Sequence, residues 1–93
     1  QALVSHDAVL EAAVVGVPDE KWGERPKAFV VLRPGKQAAE DELIDHCRAR
    51  IARYKAPKGV EFVAELPKTS TGKVQKYSLR EREWAGQAAR IRG

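Results

Sequence analysis

The sequence predicts a small α+β domain in which an antiparallel or mixed sheet is combined with two main helices. Three observations carry that prediction. Residues 9–17 and 27–33 are dominated by Val, Ala, Leu and Phe, and each run is stopped by a proline. Between residues 40 and 54 the apolar positions recur at steps of three and four, which is the spacing of one helix face. After Pro57 the period returns to two, and a helix-start signal follows it. The resulting order is strand, strand, helix, strand, helix, with no repeat and no low-complexity segment.

Each element has its own justification. Ala2-Leu3-Val4 resembles the tail of a helix. Residues 9–17 carry a single charge, Glu11, and end at Pro18-Asp19, as a largely buried strand would. The second strand holds Ala28, Phe29, Val30, Val31 and Leu32 and stops at Pro34-Gly35. The connection from Asp19 to Arg25 is too long for a two-residue hairpin turn and suits a functional loop. Leu43, Ile44, Cys47, Ile51 and Tyr54 form the helical stripe. Acids at positions 40 to 42 and arginines at 48, 50 and 53 complement its dipole at either end. Pro57 blocks continuation. Val60, Phe62, Ala64 and Leu66 then alternate with more polar neighbours, predicting a half-buried strand. Ser78 and Glu81 have capping-box spacing for a last short helix, with Gly86 as its stop. Residues 87–93 have little to bury and read as a frayed tail.

Composition narrows the function classes. A chain of 93 residues is one small domain, with room for a modest core and not for a deep catalytic cavity. No apolar run approaches the roughly 18 residues that cross a bilayer, and no secretory or transit segment opens the sequence, so a cytoplasmic location is expected. The absence of methionine and the start at Gln1 suggest a piece of a longer protein. Cys47 has no second thiol for a disulfide or a metal cluster, and its place in the stripe makes it a packing residue. The net charge of +4 (17 Lys and Arg against 13 Asp and Glu) is concentrated in residues 48–58 and 68–92. Such segments attract nucleic acid, a membrane surface or a phosphorylated cofactor. With only two Phe, two Tyr and two Trp and no known binding motif, the sequence argues against a nucleic-acid module, whose signature would be steep salt dependence.

The most informative stretch is Pro67-Lys68-Thr69-Ser70-Thr71-Gly72-Lys73-Val74-Gln75-Lys76. It sets Lys73 directly after a glycine turn rich in hydroxyls, between a strand and a helix, where an ammonium suits an anionic substrate. A phosphate-binding P-loop would need glycine in place of Pro67 and a hydroxyl in place of Val74, so that reading fails at both positions. Taken alone, Gly72-Lys73 reads most simply as a solvated turn.

A family resemblance changes this. Leu66-Pro67-Lys68-Thr69-Ser70-Thr71-Gly72-Lys73-Val74-Gln75-Lys76 resembles the final core motif of the acyl-adenylate-forming superfamily, which includes acyl-CoA synthetases, peptide-synthetase adenylation domains and firefly luciferase. Residues 8–19, Trp22-Gly23-Glu24 and Tyr54-Lys55-Ala56-Pro57-Lys58 are similar to further segments of the same C-terminal domain, in the same order. The match covers residues 1–86, as a C-terminal lid domain, and implies a large N-terminal domain that this chain does not contain.

The resemblance implies that Lys73 reaches into the active site of that N-terminal domain and contacts the substrate carboxylate and the α-phosphate of ATP. It implies loop-shaping roles for Thr69, Ser70, Thr71 and Gly72, and a local electrostatic role for Lys68 and Lys76. ATP with Mg would be bound mainly by the N-terminal domain, CoA would be the co-substrate, and no metal site is expected here. In similar CoA ligases a tryptophan matching Trp22 and basic residues near Arg48 and Lys55 lie close to the CoA nucleotide, by stacking and paired donors. Val60-Glu61-Phe62-Val63, Leu79-Arg80-Glu81 and Trp84-Ala85-Gly86 look most like fatty-acyl or medium-chain acyl-CoA ligases. The expected activity is therefore an ATP-dependent, AMP-forming acyl-CoA ligase acting on a fatty or other hydrophobic acid. The isolated domain would fold but not turn over. The alternative within the superfamily is a domain that loads a carrier protein; a small basic nucleic-acid-binding module is the alternative from another class. Acylation of an exposed Lys73 would be a regulatory alternative, since it removes the charge.

Overall fold

The structure, a computed structural model, describes residues 2–52 and 55–92. Strands β1 (Val9–Asp19) and β2 (Gly23–Leu32) form an antiparallel hairpin, helix α1 (Glu40–Arg48) follows, β3 (Gly59–Phe62) adds parallel to β2, and α2 (Lys76–Arg92) closes the chain. The sheet order is β1-β2-β3, so the mixed sheet and the two helices are as the sequence predicts. Ala2-Leu3-Val4 leads into a short 3-10 turn at Leu3–Ser5.

Both faces of the sheet are covered, which is why β2 reads as a continuous apolar run. On one face Ala28 and Val30 pack with Leu3, Val9, Ala56, and Leu43 and Cys47 of α1. On the other, Phe29 and Val31 pack with Ala13, Val15, Val17, Leu66 and Leu79 of α2. Cys47 is buried as expected, and burial raises its pKa above the ordinary thiol value, against a smaller opposing pull from Arg50. Each fully buried apolar side chain of this kind contributes about 1.5–3 kcal/mol.

A bulge adjusts β1. The register steps from Val9 opposite Leu32 to Glu11 opposite Val31, leaving Leu10 as the extra residue. Leu10 is exposed, Val9 joins Leu3 on the α1 face, and Ala13, Val15 and Val17 line the α2 face. Without the bulge Val9 would share the face of Ala13.

Four boundaries differ from expectation. The β1–β2 connection is shorter, because pairing continues to Asp19 opposite Gly23 and leaves only Glu20, Lys21 and Trp22 in the turn. Helix α1 ends at Arg48, where the N–H groups of Arg50 and Ile51 both turn to the Cys47 carbonyl and Arg50 Nη1 donates to the His46 carbonyl. Leu43 and Cys47 of the stripe are buried but Ile51 is exposed; Arg53 and Tyr54 lie outside the described residues. Strand β3 stops at Phe62 because the chain crosses faces: Val60 packs on the α1 side, and Val63 and Leu66 on the α2 side. Finally, α2 starts at Lys76 instead of Ser78, whose hydroxyl turns back to Gln75 Oε1 at 3.3 Å, and it passes Gly86 without a break.

Candidate functional site

Lys73 stands at the end of a tight hairpin. Lys68 and Val74 form a β-bridge, the Thr69 N–H donates to the Lys73 carbonyl at 2.8 Å, and the Gly72 N–H donates to the Thr69 carbonyl at 2.9 Å. Gly72 has φ +86°, the left-handed conformation that closes a three-residue hairpin loop and that glycine adopts without steric cost. The hydroxyls expected to shape the loop do so at two positions. Thr69 Oγ1 accepts from the Lys73 N–H at 3.2 Å and is hydrogen-bonded to the Thr71 hydroxyl at 2.9 Å. Ser70 is exposed at the tip. The Lys73 side chain is exposed and makes no hydrogen bond or ion pair with the described residues, whereas Lys68 Nζ pairs with Glu11 Oε1 at 2.6 Å.

Two further links hold α2, and so the hairpin it follows, against the sheet. Lys27 of β2 bridges Glu61 of β3 at 2.9 Å and Glu83 of α2, and lies over the Phe29 ring. Burial is the largest single pull on the Lys27 ammonium and lowers its pKa, but the two carboxylates outweigh it and leave the pKa raised. The second link gathers on Gly16, which lies opposite Pro26 in the ladder. Its carbonyl accepts from Arg80 Nη1 and from Trp84 Nε1, each at 3.0 Å, and Arg80 also pairs with Glu24. A Cβ at position 16 would collide with the Glu24 carboxylate, which would have to move aside.

At the far end of the hairpin, Trp22 is 72% exposed, beneath the Lys21 ammonium, and its N–H is held by Asp19 Oδ2 at 2.8 Å. Trp22, Glu24, Arg25, Pro26 and Lys58 line an open cleft of about 320 Å³. A second cleft, of about 390 Å³, is lined by Val14, Val15, Gly16, Glu24, Arg25, Pro26 and Lys55. Of the three nucleotide-contact residues expected from sequence, Trp22 and Lys55 therefore lie in adjoining clefts, while Arg48 sits at the exposed end of α1 and lines neither. Sequence reading missed Arg25 and Lys58. They meet because the Lys58 N–H donates to the Pro26 carbonyl at 2.8 Å, a parallel pairing across a helix crossover. Such a pairing leaves no local signal.

The two sets are well separated. The base of the Lys73 hairpin touches Glu11 and the Trp22 turn begins at Asp19, eight strand residues or about 26 Å along β1, with the Lys55 cleft reaching back between them to Val14. Among the described residues no group of three or more His, Cys, Asp or Glu could hold a metal ion, so nothing here fits Mg. None of the described helices is long and apolar enough to cross a membrane.

Comparison with known proteins follows these features. The model of the AMP-binding enzyme C-terminal domain matches residues 1–73. The chain is 57% identical over 81 residues to a 2-methylpropanoate–CoA ligase of Humulus lupulus, covering 85% of this chain and 15% of that protein. It superposes on the crystal structure of a Brucella canis acyl-CoA synthetase with a TM-score of 0.87 at 46% identity, covering 92% of this chain and 16% of that one. The anthranilate–CoA ligase solved in complex with anthranoyl-AMP gives a TM-score of 0.84 at 43% identity, covering 94% of this chain and 17% of that one. The chain thus spans about one sixth of the length of the proteins it matches.

Proposed function

Because this chain belongs to the AMP-binding enzyme C-terminal domain family, we propose that it is the mobile domain of an ATP-dependent, AMP-forming acyl-CoA ligase, with Lys73 as its adenylation lysine. The observation that carries the reading is the exposed Lys73 ammonium, without an ion-pair partner among the described residues, on a hairpin held by its own backbone. Adenylation brings a carboxylate against the α-phosphate of ATP, two anions whose repulsion a positioned cation offsets. At about 4 Å and an effective dielectric near 20, one such charge pair is worth about 4 kcal/mol before desolvation. Thr69, Thr71 and Gly72 serve this step by fixing the loop, and Ser70 by its exposed hydroxyl.

The second step, in which the CoA thiol displaces AMP, is assigned to the Trp22 end. Trp22 offers a stacking surface, and Arg25, Lys55 and Lys58, with Arg48 as a more distant contributor, offer donors to the CoA phosphates. The separation along β1 supports alternating use: one rigid domain presents each end in turn to the same acyl group by rotating between steps. ATP with its Mg and the acid would be held mainly by the N-terminal domain of the full-length protein. We take the acid to be hydrophobic. The relatives named for 2-methylpropanoate and anthranilate share a carboxylate and little else, so the shared chemistry is carboxylate activation. A cytoplasmic setting, which supplies ATP and CoA, completes the reading.

The test is pyrophosphate exchange by the full-length enzyme with 2-methylpropanoate, anthranilate and octanoate. Lys73→Ala is expected to lower exchange by about a hundredfold while thioester formation from supplied acyl-adenylate survives. Wild-type exchange in that variant would sink the assignment.

A further inference from the structure

Glu11 is the single charge in residues 9–17, within a sheet whose two faces are both packed. The neighbouring bulge at Leu10 changes the facing of β1, and Glu11 Oε1 meets Lys68 Nζ at 2.6 Å. Lys68 is the residue bridged to Val74, and its neighbour Thr69 bonds both the carbonyl and the N–H of Lys73. Besides the apolar packing of Leu66 and Val74 on the α2 side of the sheet, two polar contacts hold the hairpin base. One is local, the Gln75 N–H to the Pro67 carbonyl at 2.8 Å; the other, Lys68 to Glu11, reaches the sheet.

With 30% and 38% of their side chains exposed, the two partners form a pair that adds little to stability. Its consequence is geometric. Lys73 has no side-chain partner of its own among the described residues, so the hairpin sets where its flexible stem leaves the backbone, and the contacts of the hairpin with the sheet set where that point lies. The pair also engages the Lys68 ammonium at the base of the loop, while Lys73 beyond it stays open to an anion. We propose that Glu11 is a positioning residue for adenylation, acting on Lys73 through Lys68. The proposal rests on the assignment of Lys73 above.

The experiment compares Glu11→Gln, Lys68→Gln and the charge exchange Glu11→Lys with Lys68→Glu in the full-length enzyme, using the best acid of the three-acid panel. Pyrophosphate exchange, thioester formation from supplied acyl-adenylate, and thermal unfolding are measured side by side. Each single variant is expected to lose about tenfold in kcat for exchange, as misplacement of a reacting group does. The KM for ATP, the thioester step and the unfolding temperature should stay near the wild type, and the exchanged pair should recover most of the loss. Equal loss in both half-reactions, no loss, or no recovery in the exchanged pair would overturn the proposal. Lys73→Ala run in parallel separates the two claims. Retained exchange there would remove the Lys73 assignment itself, whereas normal exchange in Glu11→Gln beside a dead Lys73→Ala removes only the role of Glu11.

Discussion

The Lys73 hairpin and the Trp22 turn are both exposed three-residue connections closed by a glycine with positive φ, Gly72 at +86° within the first and Gly23 at +80° directly after the second. They differ in how their chemistry is distributed. The hairpin closes on itself through Thr69 and presents one unpaired ammonium. The Trp22 end spreads an indole, the Arg25 guanidinium and two lysines over adjoining clefts, with Glu24 among them. A single charge that must meet a reacting centre needs a rigid mount. An extended anionic ligand is held by several modest contacts, none decisive. Substitutions at the first region should therefore have large, step-specific effects, and those at the second smaller effects confined to the thiol substrate.

The sharpest way to break that contrast is Gly72→Ala. A Cβ there meets nothing within 4 Å, so the whole penalty is backbone strain at φ +86°. Strain of about 2 kcal/mol that shifts the loop corresponds to roughly a thirtyfold loss of pyrophosphate exchange. The thioester step should be nearly untouched. A variant with normal exchange would mean that the hairpin does not depend on its left-handed residue, and the rigid-mount argument would fail.

Next in size is Arg25→Ala combined with Lys58→Ala. Loss of charged donors to a phosphate is expected to raise the KM for CoA about tenfold, with adenylation unchanged. Dephospho-CoA, which lacks one phosphate, should lose less. Equal effects on CoA and dephospho-CoA would show that these residues do not read that phosphate, and would leave Trp22 and Lys55 as the contacts to examine.

How far each region could be read from sequence follows the same contrast. The turn that carries Lys73 was legible because its residues are consecutive, from Pro67 to Gln75, though its proposed role came from resemblance, and the order of the elements followed from the apolar runs on either side of Pro18 and Pro34. Arg25 and Lys58 were not, because only the parallel pairing of β2 with β3 brings them together. Arg48 was placed near the nucleotide by resemblance alone; it lies at the end of α1 and outside the lining of both clefts. The same blindness to tertiary pairing explains the misjudged boundaries. The alternation from Val60 to Leu66 is real in sequence, but it is split between the two faces of the sheet, and a period of two cannot report a chain that changes sides.

The link on Gly16 tests whether the two regions are mechanically joined. Gly16→Ala would push the Glu24 carboxylate aside and with it the Arg80 guanidinium, loosening α2 from the β1–β2 hairpin. Because α2 follows Lys73 and Glu24 lines both clefts, a loss of about threefold is expected in each half-reaction, the size of one weakened charged hydrogen bond. A loss confined to one step would show that the two ends are positioned independently and would reduce the link to a local contact.

The smallest effect on catalysis is expected away from both regions, on the α1 face, where His46 Nε2 lies 2.8 Å from Ser5 Oγ and 3.1 Å from the Ala2 carbonyl. Burial is the main cause that lowers its pKa below 6.5, aided by Arg50 and by His6 packed edge-on at 4.9 Å, while the Ala2 carbonyl and Glu42 pull the other way. With the folded pKa below the unfolded value, the unfolded state binds more protons in the interval between them. Stability from the neutral ring is therefore complete above pH 6.5 and is lost as pH falls through the folded-state pKa. Hydrogen exchange of the α1 amides in the full-length enzyme should accelerate on acidification from neutral pH, and His46→Gln should remove part of that acceleration. The ratio of exchange to thioester formation should stay constant in the variant. A change in that ratio would place chemistry on a face that otherwise serves to hold the sheet, and the division between a rigid mount and a distributed cleft would need a third member.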